Sequence, residues 1–147
     1  MMTRRPILFI LGLACAAAAG AQKPSSESTP PPEKLLAQIG LGVSDEELAR
    51  ATAEAARHPL GTLANPVRVG GPHGERAYID RLRCADGSQP AVGQRASGGV
   101  GAFGTIVNLY PLDCKAAAPG KFDLVMDMYH DGHRETNAPA GFALSAP

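Results

Sequence analysis

The apolar positions of this chain fall into distinct textures. From Ile7 to Ala19 they run together, with Gly12 as the only interruption, and Arg4 and Arg5 stand just ahead of them. From Gln22 to Pro32, QKPSSESTPPP, large apolar residues vanish and four prolines appear. Such a stretch buries too little surface to offset its ordering entropy, so residues 22–32 read as a disordered linker. Residues 33–59 form a helical segment in this reading. From Leu60 to the end the pattern changes to short β-type runs separated by turn residues.

The helical segment opens with EKLLAQIG, a short apolar helix candidate that Gly40 would close. A second start follows at Val43-Ser44-Asp45-Glu46-Glu47-Leu48. Ser44 and Glu47 have the spacing of a reciprocal capping box, and Val43 and Leu48 that of a hydrophobic staple. Asp45, Glu46 and Glu47 suit the positive end of a helix dipole. The pattern predicts a helix through LARATAEAAR that ends near His58, because Pro59 disfavours α geometry before it. Its apolar side is mostly Ala with one Leu, which marks an accessory helix.

In the β-type region, NPVRV is a short strand candidate and YIDRLRC, Tyr78 to Cys84, fits helix or strand. If a strand, its Arg81 and Arg83 alternate with Leu82 and Cys84 as a solvated face, or as a face for an anionic ligand. ADGSQP supplies turn chemistry, and VGQRAS returns as the partner strand. Thr105 to Cys114, TIVNLYPLDC, reads as a core strand until Pro111. Phe122 to His130, FDLVMDMYH, alternates. Leu124, Met126, Met128 and His130 take the core face, and Asp123, Val125, Asp127 and Tyr129 the other. The expected fold class is α+β: a small antiparallel β meander of about three to five strands, N-terminal accessory helices on one side, and one disulfide.

The leading block has the basic start, apolar run and small-residue end, Ala19-Gly20-Ala21, of a secretory signal, so residues 1–21 are expected to be removed. A membrane span needs roughly 20 apolar residues, more than this run provides. The alternative is a lipoprotein anchored at Cys15. Ala14 precedes that cysteine suitably, but Gly12 stands where Leu is expected. Removing 21 of 147 residues leaves 126, and losing Arg4 and Arg5 leaves 12 basic against 14 acidic side chains, a net charge of −2. Neither the full chain at zero net charge nor this remainder fits a strongly basic nucleic-acid binder or a polyacidic tail.

Two cysteines stay behind, Cys84 and Cys114. In an oxidising compartment they are most simply one disulfide. A redox pair would more often be CxxC, and these are 30 positions apart. The chain holds no Trp and only 4 Phe and 3 Tyr, so a covalent tie would carry a large share of its stability.

Candidate chemistry is sparse. Gly99-Val100-Gly101-Ala102-Phe103-Gly104 matches GxGxxG, but a β-type run follows where a dinucleotide site needs a helix, so it reads as a glycine turn that can border a site. The densest ligand-type set is Met126 to His133. His130 and His133, with Met128 or Met126, are candidate copper ligands; His130, Asp131 and His133 with His73 are candidate zinc ligands. The plainer reading makes the methionines core and His130 to His133 a polar turn around Asp131-Gly132. Asp127, Tyr129 and His130 are the residues on which a small hydrolase could be built, although no nucleophile elbow or HExxH is present.

NPVRV, GPHGERAYIDRLRC with the following ADG, the glycine loop Ser97 to Gly104, Cys114, MDMYH and PAGF resemble a group of small uncharacterised exported proteins of Gram-negative bacteria. The resemblance spans Asn65 to Phe142. The chain departs from that group at Ala85, where Pro is expected, and at Ala140 before Gly141-Phe142. It implies export and supports the Cys84–Cys114 pair, and it transfers no catalytic residue and no cofactor. The resulting expectation is a periplasmic or secreted, non-enzymatic binding domain. It would be monomeric, with an envelope component or small ligand as partner, no nucleic acid, and membrane contact only if Cys15 is lipidated. Metal binding and hydrolysis are the alternatives.

Overall fold

A computed structural model describes residues 44–146. The leader, the linker, Cys15 and the EKLLAQIG segment lie outside the described residues. Helix α1 spans Asp45–Ala55 and begins as expected. Ser44 Oγ accepts from the Glu47 N–H, and Glu47 Oε2 accepts from the Ser44 N–H at 2.9 Å. The helix stops short of His58. Arg57 N–H donates to Glu54 O and His58 N–H to Ala55 O, three residues back, so a tightened turn closes it before Pro59. Only Ala55 of α1 is buried, which fits an accessory helix.

NPVRV becomes strand β1, Val67–Gly70. Helix α2, Gly71–Arg81, follows at once and runs into the short strand β2, Leu82–Arg83. The ambiguous YIDRLRC stretch is thus helix in its first half and strand in its second. Pro72 in the first turn is the start signal, because its missing N–H has no helical partner there anyway. Glu75, Tyr78, Ile79 and Leu82 form the buried stripe at helical spacing. Arg81 and Arg83 are not a free solvated face. Arg81 Nε donates to Ser145 O at 3.0 Å, and Arg83 caps the end of α2 through Asp80 O at 2.8 Å.

The remaining strands are β3, Ala91–Val92; β4, Ala96–Val100; β5, Ile106–Asp113; β6, Lys121–Asp127; β7, Tyr129–Arg134; and β8, Ala143–Leu144. They do not form a simple antiparallel meander. The main sheet has six strands in the order β3-β5-β6-β1-β7, with β4 beside β3 on the same edge of β5. It is mixed, because β1 pairs with β6 in parallel and with β7 antiparallel. The intervening helix α2 and the long return through β5 make the parallel pair possible. VGQRAS and its neighbours pair with β5, and β2 finds its partner in β8.

Pro111 does not end β5. Its carbonyl accepts from Gly93 N–H at 2.7 Å on the edge where β3 and β4 are interrupted. A residue's N–H and C=O leave a strand on the same side, so the missing donor faces the gap between β3 and β4. Meanwhile β5 keeps its ladder with β6 from Asn108 to Asp113.

One sheet face carries Leu112, Leu124, Met126, Val67 and Val69, and α2 covers it with Tyr78, Ile79 and Leu82. Within this contact Glu75 is fully buried. It accepts from Asn108 Nδ2 at 2.7 Å and Tyr110 Oη at 2.9 Å, two residues on one face of β5, and so ties α2 to the sheet. Burial, with the Glu75 carboxylate beside it, raises the Tyr110 pKa. On the opposite face Val107 and Val125 are buried, and Gly101 packs so close to Val107 that an added Cβ would stand 2.5 Å from Val107 Cγ1.

The Cys84–Cys114 disulfide is formed, with both sulfurs in buried residues and Cα atoms 5.8 Å apart. It joins the end of β2 to the end of β5, and so ties the small β2–β8 pair to the main sheet. The double substitution Cys84→Ser with Cys114→Ser is expected to lower stability by about 2–5 kcal/mol in denaturant unfolding. An unchanged midpoint would refute the disulfide's structural role.

Candidate functional site

The expected continuous strand from Phe122 to His130 is broken after Asp127. Residue Met128 passes the end of β1, its carbonyl accepting from Gly71 N–H at 2.8 Å, and the chain returns on the other side of β1 as β7. Asp127 stands at this corner, fully buried. Its Oδ1 accepts from Tyr129 N–H at 3.1 Å, and its Oδ2 accepts from Thr105 Oγ1. His130 Nε2 lies 3.2 Å from the same Oδ2, without hydrogen-bond alignment. Burial alone would raise the Asp127 pKa; the His130 imidazole, the Thr105 hydroxyl and the Tyr129 N–H outweigh it and hold the carboxyl below its usual value.

Strand β7 then bulges. Tyr129 pairs with Gly70 and Arg134 with the adjacent Val69, so His130 to His133 loop out between neighbouring partners. Gly132 takes a left-handed backbone, φ 79°, that the tight bulge requires. The bulge turns the two imidazoles to separate carboxylates. His130 faces Asp127, while His133 Nε2 lies 3.6 Å from Glu135 Oε2. The Phe103 ring meets His130 edge-on, with centroids 4.8 Å apart, and carries the Arg68 guanidinium 5.4 Å above its centre.

Of these side chains Phe103, Arg68 and Glu135 line a cleft of about 380 Å³. Thr52 of α1 and its C-cap residue Ala56 form one wall, His58, Leu60 and Asn65 the next, and Arg68, Phe103, Glu135, Asn137 and Ala138 the remainder. Glu135 Oε1 accepts from the N–H groups of Thr136 and Asn137 and from Asn137 Nδ2. Burial opposes ionisation there, but these donors and His133 outweigh it and lower the pKa. His133 is held below the usual imidazole value by burial and then by the Arg68 charge, against the pull of Glu135.

The residues marked for chemistry in the sequence are only partly brought together. Asp127 and His130 meet, whereas Tyr129 contributes its backbone N–H and leaves its ring exposed. Thr105 gives its proton to the carboxylate and not to the imidazole, so its hydroxyl is not aligned as a nucleophile on His130. Met128 contacts Asn108 through its sulfur at 3.8 Å, and His73 sits exposed at the start of α2. Among the described residues no group of three or more His, Cys, Asp or Glu is arranged to hold a metal ion. GxGxxG is the β4–β5 hairpin loop, closed by Gly101 N–H to Thr105 O at 2.8 Å, and Phe103 is its contribution to the cleft. Sequence reasoning missed Arg68, Asn65, Glu135 and Asn137, which carry no motif; the signal at hand was Arg68 alone among the apolar residues of NPVRV.

Comparison of the chain with protein-family models, with curated proteins and with solved structures finds no match. Among the described residues no helix is long and apolar enough to cross a membrane.

Acid is expected to destabilise the fold in two stages. His133 has a folded pKa below its ordinary 6.5, so its contribution is complete above 6.5 and is lost as pH falls through the depressed value. Asp127 and Glu135 are likewise depressed, from 3.8 and 4.5, and their contributions disappear at lower pH still. Urea midpoints measured from about pH 8 to pH 3 check this, with Asp127→Asn costing about 1.5–3 kcal/mol at neutral pH and weakening the lower stage. A midpoint that rises on acidification would contradict the assignment.

Proposed function

We propose that this chain is an exported, non-catalytic binding domain, and that the cleft between α1, Phe103 and the 135–138 segment is where it takes a small polar ligand. The observation that carries this reading is the cleft. It is a half-open recess of ligand size, and its lining combines the polar side chains of Thr52, Asn65, Arg68, Glu135 and Asn137 with the apolar Leu60 and Phe103. Three supports stand beside it. The Met1–Ala21 block reads as a secretory leader. A disulfide between two buried cysteines suits an oxidising compartment. Asp127, His130 and Thr105 are engaged with one another as a structural corner, which favours binding over hydrolysis. The separation of the two imidazoles onto different carboxylates likewise favours this reading over a copper or zinc site.

Two measurements test it. Intact mass of the protein recovered from the periplasm is expected to lack residues 1–21 and to carry the mass deficit of one disulfide; a retained leader with free thiols, or a lipid on Cys15, would overturn free export. Thermal-shift screening against amino acids, sugars and sugar phosphates is expected to find a compound that raises Tm, with the effect lost in Ala56→Trp, which fills the cleft from an exposed position of its wall. If no compound raises Tm, or if the rise persists in that variant, the cleft is not the binding site.

A further inference from the structure

Arg68 and Asp127 are direct partners in the parallel pairing of β1 and β6, so their side chains leave the same face of the sheet side by side. Opposite charges placed this way are natural partners. They do not pair here. The Asp127 carboxylate is occupied by Thr105, the Tyr129 N–H and His130. Among the described residues no carboxylate oxygen lies within 4.0 Å of the Arg68 guanidinium.

Neutral groups hold Arg68 instead. Its guanidinium lies over the Phe103 ring at 5.4 Å and donates to Thr52 Oγ1 at 3.2 Å. Thr52 is itself fixed by donating to Leu48 O at 2.7 Å. The result is a half-buried, oriented cation on the cleft wall with most of its donors unspent. Desolvating a charge without balancing it is costly, and a planar guanidinium is suited to a planar, two-oxygen anion.

The rest of the lining limits what that anion carries. Glu135 shares the cleft, and its negative charge disfavours a dianion there and favours a donor-bearing cation. Asn65 spends its amide nitrogen on His58 O at 2.9 Å, and Asn137 spends its own on Glu135 Oε1 at 2.9 Å. Their side-chain carbonyl oxygens are left as acceptors.

We propose that the cleft binds a small α-amino carboxylate, either a free amino acid or a short peptide. Arg68 holds the ligand's carboxylate, and the ligand's ammonium faces the unspent carbonyl oxygens of Asn65 and Asn137, with the Glu135 charge close by but its oxygens already engaged. The inference rests on the cleft being the ligand site and adds the class of ligand.

NMR titration of the exported, disulfide-bonded protein tests it with five probe sets: free amino acids, dipeptides, their C-terminal amides, neutral monosaccharides, and inorganic phosphate. An amino acid or a dipeptide is expected to shift the backbone amides of Asn65, Arg68 and Asn137, and which set does so identifies the source. Its amide analogue is expected to bind roughly tenfold more weakly or worse, and phosphate is expected to leave these amides unmoved. Arg68→Gln should lose affinity by a similar factor, and Arg68→Lys should fall between, because the charge persists without the fork. If Arg68→Gln does not fold, the acid-against-amide comparison on the unaltered protein decides. Equal binding of acid and amide, or binding of phosphate at these amides, overturns the carboxylate assignment and leaves the cleft standing. So does a sugar that moves them when no amino acid does. If no probe moves them, both readings fall.

Discussion

Asp127 ends the strand that runs parallel to β1, and within two residues the chain stands on the other side of β1. A carboxylate at such a corner, fully withdrawn from water, must have its oxygens satisfied or the corner does not form. Its partners come from three parts of the chain: Thr105 from the β4–β5 hairpin loop, the Tyr129 N–H from the start of β7, and His130 from the bulge. Satisfying one charge therefore fixes the hairpin loop against β7. Phe103, two residues from Thr105, is thereby set between His130 and Arg68. The cleft inherits its aromatic ring and its cation from this arrangement.

The other buried carboxylate works by the same rule on the opposite face. Glu75 takes neutral donors from Asn108 and Tyr110 and pins α2 where apolar packing against Tyr78, Ile79 and Leu82 continues. The disulfide secures the far end, where β2 and β5 finish. A chain without Trp and with few other aromatics has limited apolar area to bury. Directional ties at fixed points, two polar and one covalent, supplement a core built from Val, Leu, Ile and Met.

The parts of this fold that were legible in the sequence are those set by local chemistry. The capping box at Ser44 and Glu47 is complete within four residues and needs no tertiary partner. The core face of Leu124 and Met126 followed from local alternation, and the pairing of Cys84 with Cys114 from the count of cysteines left once the leader is removed. The illegible parts depend on contacts between distant segments. Helix α2 was obscured because a glutamate occupies the first position of its buried stripe, and only Asn108 and Tyr110, on a strand some thirty residues later, make that tolerable. The parallel partner of β1 lies almost sixty residues on, at Met126 and Asp127, and nothing local in NPVRV announces it. Alternation in FDLVMDMYH continues smoothly through Met128, yet the chain turns there, because the end of β1 and the N–H of Gly71 wait at that point. The candidate site was legible in the glycine loop that brings Phe103 to it and in the histidines beside it. Its cation was hidden in a strand, and its acceptors were scattered over a segment without regular structure.

The two walls of the cleft are held very differently. Arg68 belongs to a strand hydrogen-bonded on both sides, and Phe103 is buried against the sheet. Helix α1 buries a single alanine, and among the described residues the one side-chain hydrogen bond that reaches it from the sheet is that from Arg68 to Thr52. An Ala-based helix face contributes little packing free energy, so the position of that wall depends heavily on a polar contact made by the very side chain that faces the cleft. A helix docked by strong apolar packing would fix the cleft's width regardless of the state of Arg68. Here the width and the orientation of the guanidinium are coupled, since whatever repositions Arg68 also loosens or tightens α1.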